Sequence, residues 1–256
     1  MKKIIQLFFL FYASILFAQQ MGTPAPQMGL AENDPAANFQ RWNPMMQKLF
    51  QQVRDDDGVV THYVGAEVGS PYEYEDFKKG KVYYDEEYLG EFYYRLNLFS
   101  NEIEVKRTFL EEENYKALIA NEKVSLVSNE GKEYRFMTFK DDKNNTESGY
   151  ITKLLNGSEY KLYKRIVAKY TEAKPAANSM VNPIPSKFTQ FTEYYLKQGA
   201  SDDIVELPTK KGKMLKVFDN AVAKELKEFM AQEDINLNLE KDVIKIIAFL
   251  DAANLN

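Results

Sequence analysis

Residues 92–106 read Phe92-Tyr93-Tyr94-Arg95-Leu96-Asn97-Leu98-Phe99-Ser100-Asn101-Glu102-Ile103-Glu104-Val105-Lys106. Phe92, Tyr94, Leu96 and Leu98 alternate with Tyr93, Arg95 and Asn97. That period of two belongs to a strand with one buried face. Ser100-Asn101 reads as a tight turn, and 102–106 alternates again. The stretch is a hairpin, and the same pattern recurs on both sides of it.

Towards the C-terminus, strands are expected at 124–127 and 134–140, joined by the turn signal Asn129-Glu130-Gly131. A polar loop over 140–148 follows. Strands at 150–155 and 160–170 flank Asn156-Gly157, the strongest hairpin signal in the chain. Towards the N-terminus, 59–68 is β-branched and aromatic. Six or more strands joined by short turns predict an antiparallel meander over 59–171, barrel-like or strongly curled. The chain holds 17 Tyr and 17 Phe against one Trp, an aromatic surplus that suits strands.

Beyond the meander, 172–187 is a Pro/Ala-rich connection. Two more short strands are expected at 188–196 and 204–207. From Lys213 the apolar residues Leu215, Phe218, Val222, Leu226 and Phe229 recur at helical spacing. Asp219-Asn220 breaks that run, since both residues favour caps. Asn238 can cap a last helix with Val243, Ile246, Ile247 and Leu250 on one face. Residues 210–253 carry eight basic and eight acidic side chains, the balance of helices packed on a core. The fold class expected is α+β, a curled meander followed by a helical segment docked on it.

The first 18 residues read as a signal peptide. Lys2 and Lys3 precede an apolar run too short to span a membrane comfortably, and Ala18 is a small residue for cleavage. Residues 19–58 read as a flexible leader with one short helix, capped by Asn43 and started by Pro44. Cleavage would remove two of the 33 cations and leave 31 against 38 acids, a net charge of −7. An acidic chain without a basic stripe argues against nucleic acid and anionic membrane as partners.

The chain has one His and no Cys. Disulfides, thiolate chemistry, Cys-ligated metals and lipoprotein attachment are therefore out. His62 shares a strand face with Val60 and Val64. No G-x-S-x-G elbow accompanies it, so a strand histidine bonded to backbone is favoured over a general base. No G-x-x-x-x-G-K or G-x-G-x-x-G is present. Asp55-Asp56-Asp57 lacks the spacing of a Ca²⁺ loop. The eight acids between Glu67 and Glu91 read as a solvated rim, and Glu111-Glu112-Glu113 as a solvated loop. Each of the pairs Tyr83-Tyr84, Tyr93-Tyr94 and Tyr194-Tyr195 gives one ring to each face of a strand. Packing accounts for most of them, with stacking on a ligand as the sharper alternative. The residues singled out for a ligand or partner are Tyr93, Arg95, Tyr194 and His62. No catalytic, cofactor-binding or metal-binding residue is assigned, and no cofactor is expected.

Several stretches together resemble a broad group of exported proteins from Bacteroidetes. They are Gly69-Ser70-Pro71-Tyr72, Phe77 before Gly80-Lys81-Val82, 94–104, Gly157-Ser158-Glu159-Tyr160-Lys161-Leu162-Tyr163, Glu193-Tyr194-Tyr195, and the tail around 226–230 and 243–250. The signal ending in Ala-Gln is also typical of that phylum. The resemblance covers about 65–253 and implies no established activity. A non-enzymatic envelope protein that binds another periplasmic or outer-membrane protein is the leading expectation. The alternatives are a barrel-like carrier of a small apolar or aromatic ligand and a carboxylate-based hydrolase.

Overall fold

The computed structural model describes residues 68–253, apart from 111, 112, 177, 179 and 181. They belong to one of two units of the chain, Asn43–Asn256; the other, Met1–Trp42, lies wholly outside them. The expected signal peptide, the leader with its helix, the strand expected over 59–67 and His62 thus lie outside the described residues.

Ten strands form one sheet: β1 Lys78–Tyr84, β2 Glu87–Asn97, β3 Glu102–Lys106, β4 Lys116–Ala117, β5 Val124–Ser128, β6 Glu133–Lys140, β7 Thr146–Asn156, β8 Tyr160–Thr171, β9 Lys187–Gln198 and β10 Ile204–Glu206. Their order is β10-β9-β8-β7-β6-β5-β1-β2-β3-β4. Every neighbouring pair is antiparallel. A parallel pairing returns β10 to β6 at Val205↔Lys140. The sheet therefore curls on itself, and a closure of one residue pair does not make it a regular barrel.

The central hairpin forms as its alternation demands. Leu96 faces Ile103, Tyr94 faces Val105, and Arg95 faces Glu104. In the turn, Asn97 Oδ1 accepts from the amides of Phe99 at 3.1 Å and Ser100 at 3.0 Å. Asn101 sits at φ 59°, a left-handed conformation that Asn tolerates better than most residues. This turn then enters the gap where β7 and β8 part. Leu98 accepts from the Ala168 amide at 3.2 Å, and the Asn101 side chain bridges Ser148 O and Tyr150 N, each at 3.2 Å.

Several strands differ from the sequence reading: β4 was not expected, and β7 begins at Thr146, inside the polar loop expected over 140–148. β1 was not apparent, because only Gly80 and Val82 in it are buried and Lys79 and Lys81 take the open face. β9 runs 12 residues and pairs with β8 from Tyr160↔Gln198 to Thr171↔Lys187. It adds Lys187 at one end and Lys197-Gln198 at the other to the strand expected at 188–196.

The helices are α1 Lys211–Met214, running into a 3-10 turn at Leu215–Val217, then α2 Asn220–Gln232 and α3 Glu240–Ala252. Asp219 caps α2 by accepting from the Val222 amide at 2.9 Å, as its position suggested. Asn238 does not cap α3; the residue before that helix is Leu239, with no side-chain cap. Val222, Leu226 and Met230 of α2 and Val243, Ile246, Ile247 and Leu250 of α3 share one core with Tyr160, Leu162, Tyr194 and Leu196. Each such aliphatic side chain contributes roughly 1.5–3 kcal/mol through burial.

A polar tie fixes α3 to the sheet. The Asp251 carboxylate accepts from the amides of Ser158, Glu159 and Tyr160 at 3.1, 2.7 and 2.9 Å. A Cβ at Gly157 would overlap that carboxylate. The glycine of the hairpin signal thus also leaves room for the helix end. The opposite face of β6–β10 closes over Phe139, Ile151, Tyr163, Tyr195 and Ile204. The Phe139 and Tyr195 rings meet at 4.3 Å and fill the curl.

Candidate functional site

The alternation of β2 puts Tyr93 and Arg95 on the same face, away from Tyr94 and Leu96. Tyr194 belongs elsewhere. It is buried beneath the helices with Leu162 and Leu196, so it offers no surface to a partner and the expectation placed on it is corrected. His62 lies outside the described residues. Two of the four singled-out residues are therefore brought together.

Arg95 is held rather than presented. Its Nε and Nη2 donate to Glu104 Oε2 at 3.0 and 2.7 Å, and Nη1 donates to Glu75 O at 3.2 Å. Asn97 Nδ2 donates to the other Glu104 oxygen at 3.2 Å. The guanidinium lies 3.7 Å from the Tyr72 ring centroid and 4.5 Å from that of Phe77. Burial, reinforced by the Glu104 charge, pushes the Tyr72 hydroxyl up to about 12, so Tyr72 stays neutral. Glu104 is 2% exposed. A buried carboxylate needs such a partner, because an unpaired charge there is costly.

Beside this closed pair lies an open row. Lys79 stands opposite Tyr93 on β1, and Lys106 stands opposite Tyr93 on β3. Lys79 Nζ is 5.4 Å from the Tyr93 centroid. Among the described residues neither lysine belongs to an ion pair; Lys106 Nζ donates instead to Leu110 O at 3.2 Å. The Tyr93 ring also meets that of Phe109 at 5.3 Å. Phe109 is 66% exposed and Leu110 62%.

The loop that holds them is braced from within. The Glu113 carboxylate accepts from the Arg107 amide at 2.9 Å, from the Thr108 amide at 2.7 Å and from the Thr108 hydroxyl. Burial pushes the Glu113 carboxyl up, but these hydrogen bonds outweigh it and hold it below the ordinary range. The sequence reading took Glu113 for a solvated loop acid and did not single out Phe109 or Leu110. The flanking acids hid an apolar pair that has no periodicity of its own.

Two further polar clusters are paired internally, although the buried Arg165 Nε has no hydrogen-bond partner among the described residues. Glu73 pairs with Lys132 and accepts from the Tyr134 hydroxyl at 2.7 Å. Burial first, and the Glu73 charge second, push the Tyr134 hydroxyl far up, which fixes it as a donor. Glu73 was read as part of a solvated rim; its side chain is only 7% exposed. Inside the curl's end, Arg165 Nη1 lies 2.9 Å from Glu147 and 3.4 Å from Glu193, and Tyr195 donates to Glu193 at 2.9 Å. Here a cation sits between the two carboxylates. Among the described residues no group of acids, His or Cys is placed to hold a metal ion. No described helix is long and apolar enough to cross a membrane.

Compared with known proteins, the chain matches no family model, no curated protein and no solved structure.

Proposed function

We propose that this is a non-enzymatic exported protein of the bacterial envelope, working in the periplasm or at the periphery of the outer membrane. It binds another envelope protein through the face around Tyr93, Phe109 and Leu110. The signal-like first 18 residues and the resemblance to exported Bacteroidetes proteins support the location. The missing cysteine leaves no acceptor for a lipid anchor.

One observation carries the binding reading. Phe109 and Leu110 are exposed directly after Arg107 and Thr108, whose amides donate to Glu113. Adjacent exposed apolar side chains of this kind mark interaction sites. Aromatic anchors are the residues on which interfaces depend most. Glu104 and Glu73, the buried carboxylates described above, are each paired with a cation, which supports binding over catalysis. The rings inside the curl support it over the carriage of a small ligand.

The test is affinity capture from envelope extract with the mature chain and with a Phe109→Ser, Leu110→Ser variant. A reproducible partner retained by the first and lost by the second is expected. Equal recovery by both would remove this face from the account.

A further inference from the structure

We infer that the outer half of the β6–β7 hairpin, Met137–Gly149, is a flap that lifts from the curl as a unit and uncovers the Arg165 side chain. Register shows where its support stops. Among the described residues, β5 pairs with β6 only as far as Ser125↔Arg135, and β8 pairs with β7 only from Thr152↔Lys164. The two strands of the hairpin stay paired with each other out to Lys140↔Thr146. Beyond the line from Arg135 to Ile151 the hairpin is therefore whole within itself and has left β5 and β8.

The two outer edges are held lightly. The β6 edge has the single backbone pairing Val205↔Lys140. Around it lie Lys140–Asp203 and Lys213–Asp142, both at 2.8 Å, the Asp142 amide on Glu206 at 2.9 Å and the Thr138 hydroxyl on Glu122 at 3.2 Å. All four are exposed, and exposed ion pairs add little. On the β7 edge a side chain stands in for a strand: Asn101 accepts from the Tyr150 amide and donates to Ser148 O, each at 3.2 Å. By contrast, β8 and β9 pair without interruption from Tyr160↔Gln198 to Thr171↔Lys187. Regions with few and exposed ties open first.

The underside of the flap is fitted to Arg165. Glu147 meets Nη1 at 2.9 Å, and the Phe139 ring lies 5.0 Å from the guanidinium. A Cβ at Gly149 would stand 3.2 Å from Arg165 Nε and 2.9 Å from Asn101 Oδ1, so the glycine lets the flap close down. The Phe139 ring on Tyr195 at 4.3 Å is the main apolar grip and keeps the open form the minor one. Lifting carries Glu147 and Phe139 away and leaves Glu193 as the carboxylate beside Arg165. The open form thus presents a cation that is only 12% exposed in the closed one.

The test is amide exchange read residue by residue by NMR, with urea kept below the unfolding transition. The Tyr150 amide should exchange about a hundredfold faster than that of Leu226 in α2, and with little dependence on urea. Ile247→Val, which weakens the helix core in closed and open forms alike, should speed Leu226 about fivefold and leave Tyr150 unchanged. Gly149→Ala should speed Tyr150 about tenfold. Lys140→Cys with Val205→Cys adds a disulfide to a chain that has no cysteine, and oxidising it should slow Tyr150 about tenfold relative to the reduced form. Equal rates and equal urea dependence at Tyr150 and Leu226 would overturn the inference, as would an equal acceleration of both by Ile247→Val. A Tyr150 rate indifferent to the disulfide would also overturn it, because Asn101 then swings away while the flap stays down. If Gly149→Ala does not fold, the disulfide and Ile247→Val decide the matter.

Discussion

Asp251 and Glu113 do the same chemistry at two places. Each carboxylate accepts from consecutive backbone amides, Asp251 from 158–160 and Glu113 from 107–108. Around Asp251 the result is closure: the end of α3 is tied to the β7–β8 hairpin, and Val243, Ile246, Ile247 and Leu250 are buried. Around Glu113 the result is presentation: Phe109 and Leu110 are held out at 66% and 62% exposure. The difference lies in what stands opposite. Asp251 belongs to a helix whose apolar face meets the sheet, whereas no described element covers the tip that Glu113 shapes. Equal local order therefore serves stability in one region and leaves a surface available in the other.

The comparison can be broken most severely at the buried pair under the open face. Glu104→Ala leaves the Arg95 guanidinium without its carboxylate and should cost about 3–5 kcal/mol, read by urea unfolding. A loss below about 1 kcal/mol would mean the pair is not buried in solution as described. On the closed side, Leu226→Ala should cost about 2–5 kcal/mol in the same assay, as expected for a leucine with 0% exposure. Gly157→Ala pushes a methyl group into the Asp251 carboxylate and should cost about 1–3 kcal/mol. If that variant is neutral, the helix end is not seated on the hairpin.

Acid sharpens the contrast. Backbone hydrogen bonds from Tyr160, Glu159 and Ser158 hold the Asp251 carboxyl below its ordinary range. The Glu113 carboxyl is also lowered, its hydrogen bonds outweighing its burial. A folded pKa below the unfolded one stabilises fully above the unfolded value, and the contribution is lost as pH falls through the folded one. Asp251→Asn should therefore flatten the fall of melting temperature below about pH 4. Glu113→Gln should instead speed chymotrypsin cleavage at Phe109 at neutral pH, with little change in melting temperature. The smallest effect belongs to the open face itself. Phe109→Ser should change stability by no more than about 0.5 kcal/mol.

Legibility in the sequence followed burial. The alternation of 92–98, the Asn156-Gly157 turn and the 3-and-4 spacing around Leu226 each report a face turned to the core, and each element formed. β1 was hidden because lysines occupy its open face, and β4 because a strand of two residues carries no period. Tyr93 and Arg95 share the strand face that their alternation predicted, and Arg95 proves to be a half-buried structural cation. Tyr194 was misplaced because a tyrosine pair does not say which ring the helices will cover. Phe109, Leu110 and Glu113 were missed because a braced loop depends on side-chain-to-amide bonds that have no sequence period.

The most direct measurement uses the absence of cysteine in the chain. A single Cys carrying a photoactivatable crosslinker is placed at 109 in one variant and at 227 in another, and each is irradiated in intact envelopes. A discrete protein adduct from 109, and none from 227, is the expected result. Adducts of equal yield and size from both positions would contradict the claim that the open face of β1–β3 is where this protein meets its partner.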